Sequence, residues 1–437
     1  MGQRDTIGIW PIMCVAGMGL GGCMTSGEND GVVSRFLSKG PDTEAAARQA
    51  EAADSPVISA LQSRRSVLPS GGSFAQVAEP VLAANSRAAE SELRSARLRA
   101  SAASKNWLPQ IGPNISLTSL SDVVAQIIVE QVLFDNGRKT AERAFAKADV
   151  EVAAVNLAED TNDRVLMALN LYLDAAQARE RAAQERRTLK DMEHFGWIMD
   201  ERVKGGVSDM SDLGVIRQKL AEIRAELARQ TEAEATAIAE LNAMSITPLG
   251  DVTGISLLQV ESMSVTPLDV LRAEAEKERD IASAKMERAG YLPGVSAGGT
   301  LGDDGSGIGL NVTTDQLLGL GTGASLKAIE AETEAASRRV ARAEEDSNRT
   351  LRRLEQRIVA LARQVIEAEA VTAQAKTNLD LFQNQYDAGQ RQVMDVVGVY
   401  ETFAIRQTRQ VELKYDLARA RLDLARHLGV LADGSQI

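Results

Sequence analysis

Cysteine and histidine, which commonly act as nucleophiles or zinc ligands, are scarce in this sequence. Its 437 residues include 2 Cys and 2 His. His194 and His427 lie far apart, and Cys14 and Cys23 both fall in an N-terminal segment of small and apolar residues. A zinc site or a disulfide framework needs several such residues at close spacing, so we interpret each His as an ordinary residue on a helix surface. We expect no enzyme active site, no metal and no cofactor.

Two short motifs could suggest ligand binding, but neither is complete. Gly319-Leu320-Gly321-Thr322-Gly323 precedes a helical segment, as a nucleotide-binding turn would, yet it lacks the G-x-G-x-x-G spacing and a surrounding βαβ pattern. Asp303-Asp304-Gly305 lacks the later Glu that completes a calcium loop. We interpret the first motif as a junction between a strand and a helix, and the second as a hairpin turn.

The composition favours long helices. Aromatic residues make up 3% of the chain and charged residues 25%, and Ala, Leu, Glu and Arg are abundant. Thick globular cores depend on large aromatic side chains, whereas this composition with helical periodicity is typical of coiled coils. The formal net charge of −12 argues against nucleic acid as a partner, because binding it requires clustered Lys and Arg.

The N-terminus has the features of an export signal. Residues 7–22 are apolar and small but too few for a transmembrane helix, as in a signal peptide. The run ends in Leu20-Gly21-Gly22-Cys23, which resembles the bacterial lipoprotein box. We predict a signal peptide over 1–22, a lipidated Cys23 and a poorly ordered tether over 23–75. A plain secretory signal with an incidental Cys is the alternative. Met24 stands where an Asp would retain a lipoprotein in the inner membrane.

The rest of the chain is a tandem repeat. We place the first repeat at 76–249 and the second at 250–432, followed by a tail at 433–437. Such internal similarity indicates that one structural unit occurs twice. Five anchors recur at an offset of 183 or 184 positions: Trp107-Leu108-Pro109 with Tyr291-Leu292-Pro293, 133–137 with 317–321, Gly206 with Gly389, Asp212 with Asp395, and Leu241 with Leu424.

Each repeat has the same predicted elements: a short helix, a β-hairpin, a very long helix, a turn and a return helix. The aromatic-Leu-Pro motif ends the short helix, because Pro cannot continue it. Segments that suit strands then follow around polar turns. The predicted strands cover 111–119 and 123–133 in the first repeat, and 295–301 and 308–318 in the second.

Apolar residues at heptad spacing predict that the long helices pair as coiled coils. Residues 137–203 contain no Pro, and a helix of that length would extend roughly 100 Å. Gly205-Gly206 and Gly389 then break the chain, as helix C-caps do, before return helices near 210–244 and 394–428. The seam of the second long helix advances by 3 or 4 positions: Leu354, Ile358, Leu361, Val365, Ala368, Thr372, Ala375, Leu379, Phe382 and Tyr386.

The predicted fold class is mainly α with a small β part. Each chain supplies four strands, and a membrane barrel needs about eight to close. If the hairpins enter a membrane, several chains must therefore share one barrel. Two chains would supply eight strands and three chains twelve.

At these motifs the sequence resembles the TolC family of outer-membrane factors, over residues 80–430. The aromatic-Leu-Pro before each hairpin is one feature of the resemblance, and the segment 132–138 (VLFDNGR), which closes the first hairpin, is another. The third is 386–397 (YDAGQRQVMDVV), which looks like the family's Tyr-x-x-Gly-x-Arg-x-x-x-Asp-Val segment.

The resemblance implies a homotrimer that combines a twelve-stranded β-barrel in the outer membrane with an α-barrel tunnel in the periplasm. Such a protein is not an enzyme. It is an exit duct for drugs, proteins or polysaccharides, in efflux or type I secretion. It docks a periplasmic adaptor protein that serves an inner-membrane transporter, and it contacts outer-membrane lipid. The resemblance leaves the cargo open.

The resemblance also implies site residues at the periplasmic tip. Asp395 matches an Asp of the family's closing ring, and Arg391 matches an Arg that forms ion pairs there; a surface Arg–Asp pair one helical turn apart is the alternative. Asp212 occupies the equivalent place in the first repeat. Gly205, Gly206 and Gly389 mark the turns at which the adaptor would dock. The family's second acid is Gly398 here, so the ring would be thinner.

Trp107, Phe134 and Tyr291 are candidates for aromatic residues at the membrane interface, all on the periplasmic side. The strands are close to the minimum length for spanning a membrane, and no aromatic candidates mark the opposite interface. The sequence therefore leaves open how fully the hairpins span.

The main alternative is a soluble periplasmic coiled-coil protein or an adaptor of an export system. An adaptor would have one helical hairpin flanked by β-rich halves. Here the β segments are short and occur twice between helices, which fits that alternative poorly.

Overall fold

The structure, a computed structural model, describes residues 55–84, 88–119, 122–260, 265–302, 305–316 and 319–436. Both halves of the described chain contain a lead-in helix, a β-hairpin, a very long helix and a return helix in that order. The first half comprises α1 (Pro56–Gln62), α2 (Ser73–Ala83), α3 (Ala88–Ala103), β1 (Gln110–Ser119), β2 (Asp122–Phe134), α4 (Arg138–Lys204) and α5 (Met210–Ala243). The second comprises α6 (Leu268–Gly290), β3 (Gly294–Gly302), β4 (Gly305–Thr313), α7 (Thr322–Asp387) and α8 (Val393–Leu428), before a 3-10 turn at Gly434–Gln436.

The two long helices confirm the length expected from the sequence. Helix α4 has 67 residues and α7 has 66, so each extends about 100 Å. Helix α4 packs along α5, α6 and α8, and α7 packs along α8 and α6. Every position of the predicted α7 seam is buried or half-buried, which confirms the coiled-coil spacing.

The hairpins form one antiparallel sheet with the order β1-β2-β3-β4. Strand β2 pairs with β3, so the sheet joins the two halves of the chain. Three predicted strands are confirmed within one or two residues. The fourth was wrong at both ends, because β4 covers Gly305–Thr313 rather than 308–318. Gly302 already pairs with Gly305, and the backbone N–H of Gln316 donates to the carbonyl oxygen of Gly290 (3.0 Å), which directs the chain back to α6.

Three clusters of buried apolar residues lie along the helices. One surrounds Tyr172 near the middle of α4, and a second surrounds Leu61 between α1, α3 and the first part of α4. The third, which we call the tip cluster, joins all four helices beside the turns. Its buried members are Met192, Phe195, Met199, Leu213, Ile216, Leu379, Val393, Val396, Val397 and Tyr400.

The predicted tether ends earlier than residue 75. Residues 55–75 include α1 and the start of α2, with Leu61 fully buried. Pro56 opens α1, and the Ser55 hydroxyl accepts a hydrogen bond from the backbone N–H of Ile58 (3.2 Å), so the sequence does contain helix-start signals. The backbone N–H of Val67 then donates to the carbonyl oxygen of Val430 (2.9 Å). The segment is therefore part of the core.

Among the helices that the structure describes, none combines the length and the apolar character needed to cross a membrane.

Candidate functional site

The two turns that end the long helices have the same backbone conformation. Gly206 and Gly389 both adopt positive φ, +71° and +76°. The residue after each glycine donates its N–H to a carbonyl five residues back, Val207 to Arg202 (2.9 Å) and Gln390 to Gln385 (2.8 Å). This is the Schellman arrangement, in which a left-handed residue satisfies the last carbonyls of a helix. Glycine is favoured at both positions because it has no Cβ to clash.

Gly205 differs from the other two glycines of the turns. Its φ of −79° is that of an ordinary right-handed helix end, and Ala388, at the equivalent position of the second repeat, has the same φ. A Cβ on Gly205 would approach no closer than 3.4 Å to the carbonyl oxygen of Glu201. The backbone of this turn therefore does not require a glycine at 205.

Asp395 lies on the exposed surface in the first turn of α8 and completes a capping box. Its carboxylate accepts from the backbone N–H of Gln392 (3.2 Å), while the Gln392 side chain accepts from the backbone N–H of Asp395. A carboxylate here also interacts favourably with the positive end of the helix. Asp212 takes the same place in the first turn of α5 and is half-exposed, but the cap residue of that helix, Asp209, makes no side-chain cap hydrogen bond.

Arg391 does not pair with Asp395 in the described part of the chain. Its Nε donates to the Gln385 side chain (3.0 Å), and its guanidinium lies over the Phe382 ring, 4.5 Å from the centroid. The single chain therefore does not form the surface ion pair between Arg391 and Asp395 that was the alternative interpretation. The residue is exposed, so its remaining donors can meet a partner outside the chain.

The tip cluster includes a polar contact between the repeats that the sequence analysis missed. The Tyr400 hydroxyl on α8 donates to the Asp191 carboxylate on α4 (2.7 Å). Burial and the adjacent carboxylate raise the pKa of Tyr400, so this phenol stays protonated. Lys219 on α5 also pairs with Glu401 on α8 (3.3 Å). No spacing rule brings these residues together, because they come from opposite repeats.

The sheet has one largely apolar face and one face of mostly polar and small residues, which we call the polar face and which also carries Ile128 and Val132. In register, Ile111 pairs with Val129, and Ile127 with Leu301. Directly paired residues share a face, so the apolar side chains collect on one side. The exposed apolar residues of this face are Ile111, Ile115, Ile127, Val129, Leu301, Ile308, Leu310 and Val312, with Ile308 being 96% exposed. The signal in the sequence was the alternation of apolar residues in β1, at 111, 115 and 117, whereas β2 has runs of adjacent apolar residues.

The three predicted interface aromatics lie at the helix end of this sheet. Trp107 and Phe134 are both more than half exposed, and Tyr291 is half-buried. A β-bulge between Val132 and Phe134 shifts the register so that Phe134 pairs with Val295. Phe134 thereby joins the apolar face.

The junction between sheet and helices is fixed by contacts between the repeats. Asn136, with a φ of +53°, donates from its side chain to the carbonyl oxygen of Pro293 (3.0 Å). Asp135 accepts from the backbone N–H groups of Gly137 (3.1 Å) and Lys139 (2.5 Å), which caps the start of α4. Arg138 forms an ion pair with Asp315, just beyond β4.

His427 was wrongly interpreted as a surface residue, because it is 6% exposed. Its Nε2 lies 3.0 Å from the Ser347 hydroxyl, and its Nδ1 lies 3.8 Å from the Asp269 carboxylate. Burial lowers the pKa of His427, with the nearby Asp269 opposing this shift. Ser347 is buried as well, so this Ser–His–Asp grouping has no access for a substrate and is a structural contact.

Several predicted features fall outside the part of the chain that the structure describes. These are the signal peptide, Cys23, the tether up to residue 54, and Asp303 and Asp304 in the second hairpin turn. Within the described ranges, no group of three His, Cys, Asp or Glu residues is arranged to hold a metal ion.

Comparison with known proteins identifies the fold. No protein-family model matches the sequence, and no curated protein matches it significantly. Solved structures do match. They include a membrane protein from Pseudomonas aeruginosa (TM-score 0.71, 17% identity, 83% of this chain and 91% of that chain). The outer membrane channel CmeC of Campylobacter jejuni matches with a TM-score of 0.68 and 13% identity, over 83% of this chain and 88% of that chain.

The open-state structure of the outer membrane channel MtrE of Neisseria gonorrhoeae matches with a TM-score of 0.67 and 16% identity, over 83% of this chain and 91% of that chain. These matches cover most of both partners. The chain therefore has the fold of outer-membrane channels with long paired helices and two β-hairpins.

Proposed function

We propose that three copies of this chain form an outer-membrane channel that acts as the exit duct of an efflux or type I secretion system. The observation that carries the proposal is the four-stranded sheet with one exposed apolar face, which continues directly into two helices of about 100 Å. An apolar outer face suits lipid, and a polar inner face suits a water-filled channel.

The sheet supports the sharing of one barrel between chains. Strands β1 and β4 are its two edges, and each is paired on one side only. Exposed backbone donors and acceptors are not tolerated in a bilayer, so a closed barrel must join them. Strands of 9 to 13 residues are long enough to span when tilted. Three copies would supply twelve strands, as the resemblance to the TolC family implies.

The helices support the same assembly. Large apolar side chains on α7 and α8 remain exposed in the single chain, among them Val359, Ile366, Leu381 and Ile405. A neighbouring copy packed against these helices would cover them and close a helical tunnel. In this arrangement the energy for export comes from an inner-membrane transporter, the periplasmic adaptor docks at the turns around Gly206 and Gly389, and the duct itself catalyses no reaction.

The predicted gate and anchor remain part of this proposal. Three copies of Asp395 near one axis would repel each other and favour a bound cation. Arg391 has donors left for a partner on another chain, and Asp212 is the equivalent candidate in the first repeat, with a smaller expected role. Cys23 would carry the lipid that anchors the chain to the outer membrane.

Fractionation of cells that express the full chain tests the proposal. We expect the protein in the outer membrane, extracted only by detergent, as a trimer that dissociates on heating. A Cys23→Ser variant is the matched control, since it removes the anchor but keeps the hairpins. It should still reach the outer membrane as a trimer. A monomer released in buffer would contradict the duct and support the soluble coiled-coil alternative.

A further inference from the structure

Glu130 stands apart from the other residues of the sheet because it is charged. The four strands contain two ionisable residues, Asp122 at the first hairpin turn and Glu130 near the helix end of β2. Glu130 is exposed, and within the described part of the chain it forms no ion pair or side-chain hydrogen bond. Its carboxylate is therefore accessible to an ion or a charged group outside the chain.

The register places Glu130 on the polar face. Gln110 pairs with Glu130, Glu130 with Gly298, and Gly298 with Gly309, so one row crosses all four strands. The two residues beside Glu130 on β3 and β4 are glycines and have no side chain to cover the carboxylate. The neighbouring row, Gly112, Ile128, Thr300 and Gly307, is uncharged and includes one large apolar residue, Ile128.

The glycines leave space on both sides of the carboxylate. A shallow hollow of about 450 Å³ is lined by Glu130 together with glycines, Thr300, Asn311 and two isoleucines, Ile128 and Ile308. A second hollow of about 230 Å³ lies at the junction with the helices, and Glu130 lines it too. The carboxylate therefore stands between the sheet and the helix junction, in open space that an ion or a charged group can enter.

Nearby cations do not neutralise Glu130. The second hollow is also lined by Arg138 and Lys139. Arg138 is paired with Asp315, and Lys139 with Glu142 (3.3 Å). Both basic residues thus have other acidic partners, and neither forms an ion pair with Glu130.

We infer that Glu130 selects cations where the helical tunnel opens into the sheet. The inference rests on the proposed function, because the polar face becomes the lumen wall only when several copies close a barrel. Three carboxylates at one height would then face the same lumen. Rings of acidic side chains raise the local concentration of cations and repel anions. The ligand class is cationic: inorganic cations and the positively charged groups of exported molecules.

The test is the reversal potential of the reconstituted full chain in a planar lipid bilayer under a KCl gradient. Wild-type pores should prefer K⁺ over Cl⁻. Glu130→Gln keeps the shape and removes the charge, so the permeability ratio should fall by about twofold or more, and Glu130→Lys should favour Cl⁻. Asp122→Asn is the matched control, because it removes the other carboxylate of the strands at the hairpin turn; it should leave the ratio nearly unchanged.

A rescue variant separates charge from structure. Gln126 lies on the same face, four positions before Glu130 in β2. The double variant Glu130→Gln, Gln126→Glu should recover the cation preference of the wild type. Pores of Glu130→Gln with an unchanged reversal potential would overturn the inference and leave the proposed function standing. A wild-type protein that forms no pores would overturn the proposed function, and the inference with it.

Discussion

The turns at the ends of the two repeats share a backbone but differ in their side chains. Gly206 and Gly389 have nearly the same φ and the same Schellman hydrogen bonds. The first turn then exposes Val207 and Met210, whereas the second exposes Arg391 and Gln392. A capping box forms in the second turn, around Asp395. The two repeats therefore share the same helix-ending turn but expose different side chains at it.

The packing beneath the turns is also unequal. Ile216 of the first repeat is fully buried in the tip cluster, while Val399, its equivalent in the second repeat, is half-buried. Ile216 fits closely against α4, since a Cβ added to Gly196 would lie 3.4 Å from it. At this pair of equivalent positions the first repeat is therefore packed more tightly, although each repeat supplies five buried residues to the tip cluster. The second repeat adds the polar contacts of Tyr400 and Arg391.

The largest expected effect comes from this difference in packing. Ile216→Ala should destabilise the protein by about 3 kcal/mol, because it leaves a cavity in a fully buried site. Val399→Ala should cost about 1 kcal/mol, since that side chain is half-exposed. Thermal unfolding followed by circular dichroism measures both. Equal losses would show that the two repeats pack alike.

The glycines of the turns should give the next largest effect. Gly206→Ala and Gly389→Ala should each cost about 1 kcal/mol, because a Cβ is unfavourable at positive φ. Gly205→Ala is the control and should be neutral or slightly stabilising, as Ala388 already occupies the equivalent position. If Gly205→Ala were as harmful as Gly206→Ala, the turn would not be the backbone motif described above.

Loss of the capping box should have a smaller effect. Asp395→Asn weakens the pairing with Gln392 and removes a charge from the start of α8, which should cost about 0.5–1 kcal/mol. Asp212→Asn should lower the free energy of unfolding by only a few tenths of a kcal/mol, about the contribution of the charge alone.

Channel recordings separate this effect on stability from a role in gating. Asp395→Ala should also reduce block by divalent cations. Unchanged block would exclude Asp395 from the gate.

The smallest expected effect is on the pH dependence of stability. It comes from His427, whose equivalent in the first repeat is Met244. Burial lowers the pKa of His427 in the folded protein, so the unfolded chain binds the proton more readily. The contribution of neutral His427 to the free energy of unfolding is complete above the ordinary pKa of about 6.5, and it is lost as the pH falls below that value. Stability of the wild type should therefore decrease more steeply under acid than that of His427→Met. Parallel pH profiles would contradict this.

Periodicity predicted the long helices, and Val- and Ile-rich segments around polar turns predicted most of the strands, because both signals depend on neighbouring residues. The seam from Leu354 to Tyr386 and the hairpins around residues 120 and 303 follow from local spacing. The burial of α1 did not follow, because a short helix in a polar segment gains its stability from contacts with the end of the chain, such as Val67 with Val430. Sequence could not show this distant pairing.

The candidate site was only partly predictable for the same reason. The positions of Gly206, Gly389 and Asp395 followed from a repeat that can be counted along the chain. The Tyr400–Asp191 contact joins residues 209 positions apart. Glu130 became distinctive once the register of three strand pairs placed it in a row with two glycines.

The central claim is that this sheet is one third of a closed barrel, and cross-linking its two edges tests it most directly. One cysteine is placed in β1, at Ile111 or Ile115, and another in β4, at Ile308, Leu310 or Val312. In a closed barrel β1 of one copy lies beside β4 of the next, so at least one pair should come within disulfide distance, about 4 Å between Cβ atoms. After oxidation in the outer membrane, denaturing gels should show covalent trimers that reducing agent abolishes, while each single-cysteine variant stays below that size. Monomers or dimers alone for every pair would contradict the account.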